Sequence, residues 1–155
     1  IKEMIPIKAH APFHPLKHCI VGQSHSADTM IELLGDAARD DEICLVMEHT
    51  EKELSSLVTA LRSLGVTCYR PVLDTGNAFD RPPISPRDYF GVIGETLLIG
   101  KLVNGYKEIL SSVDRKSCRW YLDSDISSAN MIRCGNHVHW DIDPRMTTDK
   151  EEEIK

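Results

Sequence analysis

The sequence predicts an α/β fold, on the strength of three features. An amphipathic helix that begins at Thr50 stands between two short apolar runs, residues 42–47 and 66–69, which gives the order strand, helix, strand. Two further pairs of apolar runs are each joined by a Gly-containing dipeptide, as in β-hairpins. Strands that alternate with helices in this way are typical of sheets covered by helices.

The first fifteen residues are rich in proline and histidine and predict an extended lead into a first strand at residues 16–22. His10, His14 and His18 recur every four residues, a spacing that would align metal ligands on one face of a helix. The intervening prolines oppose that helix. A metal site here is therefore the weaker interpretation.

Two helices are predicted in the first half of the chain. Residues 28–34 form a short helical pattern with Asp28 as its expected N-cap and Gly35 as its end. Thr50, with an acid three residues later, fits a capping box that opens a longer helix ending at Gly65. Its apolar residues repeat at intervals of three and four: Leu54, Leu57, Val58, Leu61 and Leu64.

A hairpin is the clearest strand prediction. Residues 89–93 and 96–99 are β-branched and aromatic runs separated by Gly94-Glu95, and a Gly-X pair suits a type II′ turn. Both runs are almost wholly apolar, so we expect the hairpin to be covered on both faces.

Asp88 stands where the loop before this hairpin becomes strand. A carboxylate held there by the bend at Pro86 can meet a cationic substrate. Aspartate is also common in turns, where it bonds its own backbone, and the local sequence by itself favours that second role.

The remaining segments are less regular. Residues 72–85 predict a long loop, which in a compact domain is often functional. Residues 101–113 are weakly helical, with a turn at Asn104-Gly105, and residues 118–122 predict another strand. A polar, acidic stretch follows at residues 123–128.

Residues 130–134 and 136–142 predict a second hairpin around a Gly-Asn pair, with His137 and His139 on one face by alternation. The pattern Cys-x-x-His-x-His resembles a metal site, but Cys134 precedes the turn and no fourth ligand is evident. A structural hairpin is the favoured interpretation. We expect residues 1–142 to form one incomplete domain and residues 143–155 to be an acidic, solvated tail.

The totals limit the classes of function. A chain of 155 residues with 41% apolar content can build one domain, or part of a larger one, around a core. A net charge of −6, with no face rich in Lys and Arg, argues against nucleic-acid binding. No apolar run approaches the roughly 20 residues that span a bilayer, and no signal peptide is evident. We therefore expect a cytoplasmic protein without a membrane partner.

The chain has five cysteines: Cys19, Cys44, Cys68, Cys118 and Cys134. Their number is odd, and four of the five lie in or beside apolar runs. This predicts reduced core thiols rather than a disulfide framework. No cofactor is expected.

Four segments, in order, resemble the amidinotransferase branch of the guanidino-modifying pentein superfamily, which includes glycine amidinotransferase. Residues 14–22 are similar to the opening strand of the family, and residues 64–71 resemble its passage from helix to strand, which ends in Arg-Pro. The third segment is residues 86–88 with the hairpin that follows them. The fourth, residues 127–135, is similar to the family segment Asp-Ala-Ala-Asp/Asn followed by a hydrophobic pair, Arg, a small residue and Gly. Pro86-Arg87-Asp88 is the most specific match.

The resemblance implies a partial pentein, an α/β-propeller of ββαβ-type repeats around a polar channel. In the family a cysteine attacks the guanidinium carbon, a histidine moves protons, and carboxylates hold the guanidino group. Asp88 matches one of those carboxylates, and the resemblance reverses the preference for a turn-capping role. Arg87 and Asn130 are expected to line the same substrate site.

Two departures from the family pattern limit what carries over. Ser127 stands where the family has the acid that orients its histidine, and a hydroxyl cannot stabilise an imidazolium as a carboxylate does. Asp125, two residues earlier, would fall on the same strand face and is a candidate substitute. The family histidine and nucleophilic cysteine lie further downstream: His137 and His139 come too early, and none of the five cysteines matches.

Two hypotheses follow. In the first, the chain is part of an amidinotransferase-like enzyme that transfers an amidino group from arginine to an amine through a cysteine intermediate, and the chain alone is inactive. In the second, it is a catalytically silent module that binds a guanidino ligand or assembles with other chains. An open set of repeats would expose strand edge and apolar surface, so we expect a homo-oligomer. The acceptor, and whether Lys155 is the natural end, are left open by the sequence.

Overall fold

The structure is a computed structural model that describes residues 4–11, 13–36, 41–73, 82–100, 104–123 and 127–140. Within these ranges, seven short strands form three small sheets, accompanied by three α-helices. None of these helices is both long and apolar enough to cross a membrane. The predicted tail, the middle of the predicted long loop, and Asp125 lie outside the described residues.

The first unit places a helix pair between two parallel strands. Its elements are β1 (His18–Ile20), α1 (Ala27–Leu34), α2 (Glu42–Ser63) and β2 (Thr67–Tyr69). Strands β1 and β2 pair in parallel, with Cys19 opposite Cys68. The predicted strand at residues 66–69 is therefore confirmed, but its partner is the predicted first strand, at residues 16–22, rather than residues 42–47. A small core of Val21, Val58, Val66 and Cys68 joins α2 to the two strands.

The prediction of a strand at residues 42–47 is wrong, because these residues are the first turns of α2. The Asp41 carboxylate caps the helix by accepting hydrogen bonds from the backbone N–H groups of Ile43 (2.9 Å) and Cys44 (3.3 Å). The capping box at Thr50 does not form either. Thr50 lies inside the helix, where its hydroxyl donates to the Val46 carbonyl at 2.8 Å.

Helix α1 ends at Gly35 as predicted, but its N-cap is Ser26 rather than Asp28. The Ser26 hydroxyl oxygen accepts from the Thr29 N–H at 3.2 Å, which is the usual geometry of a serine cap. Asp28 lies in the first turn, where its negative charge interacts favourably with the positive end of the helix dipole.

The second sheet contains the predicted first hairpin. Strands β3 (Phe90–Ile93) and β4 (Thr96–Ile99) are antiparallel, and β5 (Arg119–Leu122) adds in parallel to β4. Gly94 has φ +59°, whereas Glu95 does not have a positive φ, which matches the predicted type II′ turn. The crossover from β4 to β5 runs through a 3-10 turn, Asn104–Tyr106, and α3 (Lys107–Ser111).

The main core lies on one face of this sheet. Ile99 and Tyr106 are fully buried, and the remaining buried members of the cluster are Ile5, Phe90, Leu97, Ile109, Leu110 and Val113. Ile5 comes from the N-terminal lead, which is extended as predicted, and its N–H donates to the Ser112 carbonyl at 2.7 Å.

The expectation that the first hairpin is covered on both faces is wrong. Burial alternates along β4, where Leu97 and Ile99 are the buried residues, whereas on β3 only Phe90 is buried and Val92 remains 37% exposed. One reason is that β3 is an edge strand, and another is that the face opposite the core borders an open cleft toward the second hairpin.

That second hairpin is confirmed and consists of β6 (Met131–Cys134) and β7 (His137–Trp140). His139 is the partner of Ile132, and His137 is the partner of Cys134, so both histidines lie on one exposed face as predicted.

Candidate functional site

Two short 3-10 turns lie against each other at the entrance to β3 and β6. They are Pro86–Asp88 and Ser128–Asn130. The proline at the start of the first turn fixes its own φ, and the Asp88 N–H closes the turn on the Ser85 carbonyl at 3.2 Å. The contact brings together two segments that are far apart in the sequence, including Asp88 and Asn130.

Ser128 holds the two turns together from a buried position. Its hydroxyl donates to the Arg87 carbonyl at 2.6 Å and also lies within hydrogen-bond reach of the Phe90 carbonyl. Gly91 makes this approach feasible, because a Cβ atom built on it would lie 2.6 Å from the Ser128 Cβ. Sequence reasoning missed Ser128, since a serine beside a turn carries no signal of a partner about forty residues away.

Arg87 adds a second connection between the turns. Its Nε donates to the Ser128 carbonyl at 3.4 Å, and its Nη2 donates to the Met131 carbonyl at 3.1 Å. The guanidinium is therefore directed toward the start of β6, and it tethers the Asp88 turn from outside.

Asp88 is half-buried in a different environment. Within the described part of the chain its carboxylate accepts no hydrogen bond and lies within ion-pair distance of no cation. The phenol of Tyr106 is nearby: burial chiefly, then the charges of Tyr89 and Asp88, raise the pKa of Tyr106 well above its ordinary value. A partly desolvated, unpaired carboxylate is stabilised by any cation that reaches it.

The other two predicted residues flank the second turn. Ser127 precedes it, and its side chain makes no capping bond, while its carbonyl accepts from the Asn130 N–H at 3.1 Å. The Asn130 side chain is exposed. Both are available at the surface beside Asp88 and Arg87.

A cleft of about 270 Å³ opens between the outer face of the β3–β4 hairpin and the β6–β7 hairpin. Arg87 and Arg133 are among its lining residues, and Asp88 is not. Arg133 donates through Nη1 to the Ala9 carbonyl at 2.8 Å and through Nε to the Gly135 carbonyl at 3.0 Å. The cleft therefore lies on the Arg87 side of the turn.

A separate polar network lies at the ends of β1 and β2. Glu51 and Arg70 form a two-pronged ion pair, with Nη1–Oε1 at 2.7 Å and Nη2–Oε2 at 3.0 Å. Arg70 also donates to the Gly22 carbonyl, and Glu51 accepts from the Ser24 N–H. Burial alone would raise the pKa of Glu51, but hydrogen bonds from Arg70, the Ser24 N–H and the Ser55 hydroxyl, with the charge of Arg70, hold it below its ordinary value.

The three histidines near the N-terminus have separate surroundings. His18 Nδ1 lies 3.1 Å from the Tyr69 hydroxyl, and His10 Nε2 lies 3.8 Å from Glu95, while His14 is exposed. Across the residues that the structure describes, no three His, Cys, Asp or Glu side chains gather closely enough to hold a metal ion.

Two solved structures share this architecture. The chain matches an inosamine-phosphate amidinotransferase from Streptomyces griseus with a TM-score of 0.52 and 25% identity, over 76% of this chain and 42% of that one. It matches SxtG, an amidinotransferase from Microseira wollei in the saxitoxin biosynthetic pathway, with a TM-score of 0.60 and 14% identity, over 86% of this chain and 54% of that one. No protein-family model and no curated protein matches the chain.

These likenesses confirm the expected fold. The chain has an amidinotransferase-like, pentein-type α/β fold, and it spans about half the length of the solved structures that it matches.

Proposed function

Because the chain has part of an amidinotransferase-like, pentein-type fold, we propose that it binds a guanidino compound such as arginine through Asp88. The observation that carries the proposal is the Asp88 carboxylate, half-buried and without a cation or hydrogen-bond donor in the described part of the chain. A guanidinium is planar and always charged, so a carboxylate can both neutralise and orient it through two parallel hydrogen bonds.

The neighbouring residues have different roles in this proposal. Ser128 and Arg87 fix the turn that carries Asp88, since both bond across to the facing turn or strand. Arg87 was expected to touch the substrate, and its guanidinium would repel a guanidino ligand at close range. In this proposal Arg87 therefore positions Asp88 and does not contact the ligand. Asn130, which is exposed beside the turn, contacts polar groups of the ligand.

The proposed reaction is amidino transfer. A cysteine thiolate would attack the guanidinium carbon, the bond from that carbon to the donor's alkyl nitrogen would break as this nitrogen takes a proton, and an amine acceptor would then displace the thiolate. Burial chiefly raises the pKa of Cys19 and Cys44, which keeps both as neutral thiols and poor nucleophiles. Ser127 offers no carboxylate to orient a histidine. We propose that a longer or a second chain supplies the nucleophile, and that this chain alone is inactive.

Isothermal titration calorimetry with arginine tests the binding proposal. We expect Asp88→Asn to weaken arginine binding at least about tenfold, which corresponds to about 1.4 kcal/mol. Asp114→Asn is the matched control: Asp114 is also half-buried, but its carboxylate already accepts from the Lys116 N–H at 3.0 Å. Equal heats for the natural chain and Asp88→Asn would remove Asp88 from the site.

A separate assay tests the inactivity of the chain. Incubation with arginine and glycine should give no guanidinoacetate above a protein-free blank. Product that disappears when one of the five cysteines is replaced by serine would show that the chain carries its own nucleophile.

Assembly is a second candidate function, supported by helix α2. Exposed apolar residues lie on a strip along one side of this helix: Ile43 (65% exposed) and Val46 (60%) near its start, Leu57 (47%) near its end and, just past its end, Leu64 (79%). Thr50 and Glu53 lie on the same side between the two pairs. We propose that this strip pairs with a second copy of the chain. Leu57→Glu should then lower the mass in sedimentation equilibrium, while the neighbouring exposed Ser56→Glu should not. A concentration-independent monomer would exclude this assembly.

The proposed location is the cytoplasm. All five cysteines are free, as reducing conditions would keep them.

A further inference from the structure

We propose that the cleft between the β3–β4 and β6–β7 hairpins binds a small organic anion with a short apolar body, and that the positive charges of Arg87 and Arg133, which both border the cleft, attract its charged head. This site is distinct from the guanidino site at Asp88. It takes a ligand of opposite charge on the opposite side of the same turn, so it does not depend on the function proposed above.

The shape of the cleft suits a small apolar body. Its volume of about 270 Å³ is slightly below the usual range for pockets that bind drug-sized ligands, which suits a smaller ligand. Leu98, Met131 and Val138 supply apolar walls, and Gly91 adds no side chain to the face of β3 that borders the cleft. The ligand is therefore expected to be about the size of a six-carbon chain.

The charges of the cleft favour an anion. Arg87 and Arg133 each spend two N–H groups on backbone carbonyls, and a guanidinium has five, so both retain donors. Within the described part of the chain, neither guanidinium lies within 4.0 Å of a carboxylate. Among the described residues, two cations therefore border one apolar cleft without a counter-charge.

Arg70 has a different kind of partner from the two cleft arginines. Arg70, at the junction of α2 with β1 and β2, is neutralised by Glu51 through two short contacts. Arg70 is thus neutralised by an internal acid, whereas the partners of the two cleft arginines within the described ranges are backbone carbonyls. Those carbonyls hold the guanidinium groups in place, which lowers the entropic cost of binding an anion there.

Nuclear magnetic resonance titration of the whole chain with hexanoate tests the proposal. We expect saturable shifts of the Gly91, Leu98 and Val138 backbone amides, and no comparable shifts with hexanamide, the neutral counterpart of the same length. Hexyl phosphate serves as a second arm that distinguishes a carboxylate from a phosphate head. Hexylammonium, with the opposite charge, should not bind.

Variants locate the charge. Arg133→Gln should weaken hexanoate binding at least about tenfold. Arg119→Gln is the matched control, because Arg119 lies on β5 and does not line the cleft. If Arg133→Gln fails to fold, the salt dependence of the natural chain replaces it: hexanoate affinity should fall as sodium chloride rises.

Two outcomes would overturn the proposal. One is that neither hexanoate nor hexyl phosphate causes saturable shifts at concentrations up to about 10 mM. Any dissociation constant would then be weaker than is usual for small ligands. The other is equal binding of hexanamide and hexanoate, which would make the cleft a purely apolar surface.

Discussion

Gly91 and Ser128 lie so close together that the glycine has no room for a methyl group. A Cβ atom on Gly91 would come within 2.6 Å of the Ser128 Cβ and 3.1 Å of its hydroxyl oxygen. The contact joins β3 to the turn before β6, so it connects the two hairpins beside the candidate site. Its tightness explains how two segments about forty residues apart hold one arrangement.

Gly91→Ala should destabilise the fold by about 1–3 kcal/mol, because the added methyl group forces the two segments apart. Urea unfolding measures the change. Ser128→Gly removes the opposing Cβ, so the double variant should lose less stability than the sum of the two single variants. Additive losses would show that the two side chains do not meet.

Glu51→Gln should cost about 3 kcal/mol, because it leaves the partly buried Arg70 charge without its partner. Glu53→Gln, on the exposed side of the same helix, is the matched control and should change stability by less than about 0.5 kcal/mol.

The same pair predicts a pH dependence. The pKa of Glu51 is lowered from its ordinary 4.5, so the unfolded chain binds this proton more readily than the folded chain. The stability from the pair is present above pH 4.5 and is lost as the pH falls further. The free energy of unfolding of the natural chain, measured with urea, should therefore decrease as the pH falls below 4.5. The change in this free energy per pH unit should be smaller in Glu51→Gln. An unchanged slope would assign the acid sensitivity to other groups.

Tyr106→Phe should lower stability by about 1–2 kcal/mol, because the buried hydroxyl donates to the Pro83 carbonyl at 3.1 Å. The pKa of Tyr106 is raised above 10, chiefly by burial, so the stability that depends on its neutral form falls as the pH rises above 10. Tyr106→Phe should not show this fall in stability above pH 10. Tyr121→Phe, whose hydroxyl has no partner among the described residues, should match the natural chain in neutral urea unfolding.

Cys134 should be the first thiol to react with Ellman's reagent in the folded protein, because it is exposed whereas Cys44 and Cys68 are buried. Burial also raises the pKa of Cys44, which lowers its thiolate fraction. Cys134→Ser should remove the fastest phase of the reaction. A fast phase that survives in this variant would show that a second thiol reaches solvent.

The hairpins could be predicted because their turn chemistry is local. Gly94-Glu95 and a Gly-Asn pair each impose a tight turn between apolar runs, whatever surrounds them. Residues 42–47 could not be assigned in the same way, since a short apolar run fits a strand or a buried helix equally well. The deciding feature was Asp41, a helix cap standing one residue before that run.

The candidate site was only partly foreseeable. The resemblance pointed to Asp88 and to the segment after Ser127, and the structure places these segments in contact. The contacts that fix them, from Ser128 to the Arg87 and Phe90 carbonyls, depend on tertiary packing rather than on any periodicity. The role of Arg133 was missed for the same reason, since this residue and Arg87 border one cleft only once the second hairpin lies against the first.

The parallel pairing of β1 with β2 sets an order on folding. Each hairpin closes through a two-residue loop, so it can form early at little entropic cost. The β1–β2 pair instead joins residues about fifty positions apart, so its closure costs more loop entropy than that of either hairpin. The hairpins near Asp88 are thus expected to collapse first, and closure of β1 on β2 is expected to limit the folding rate.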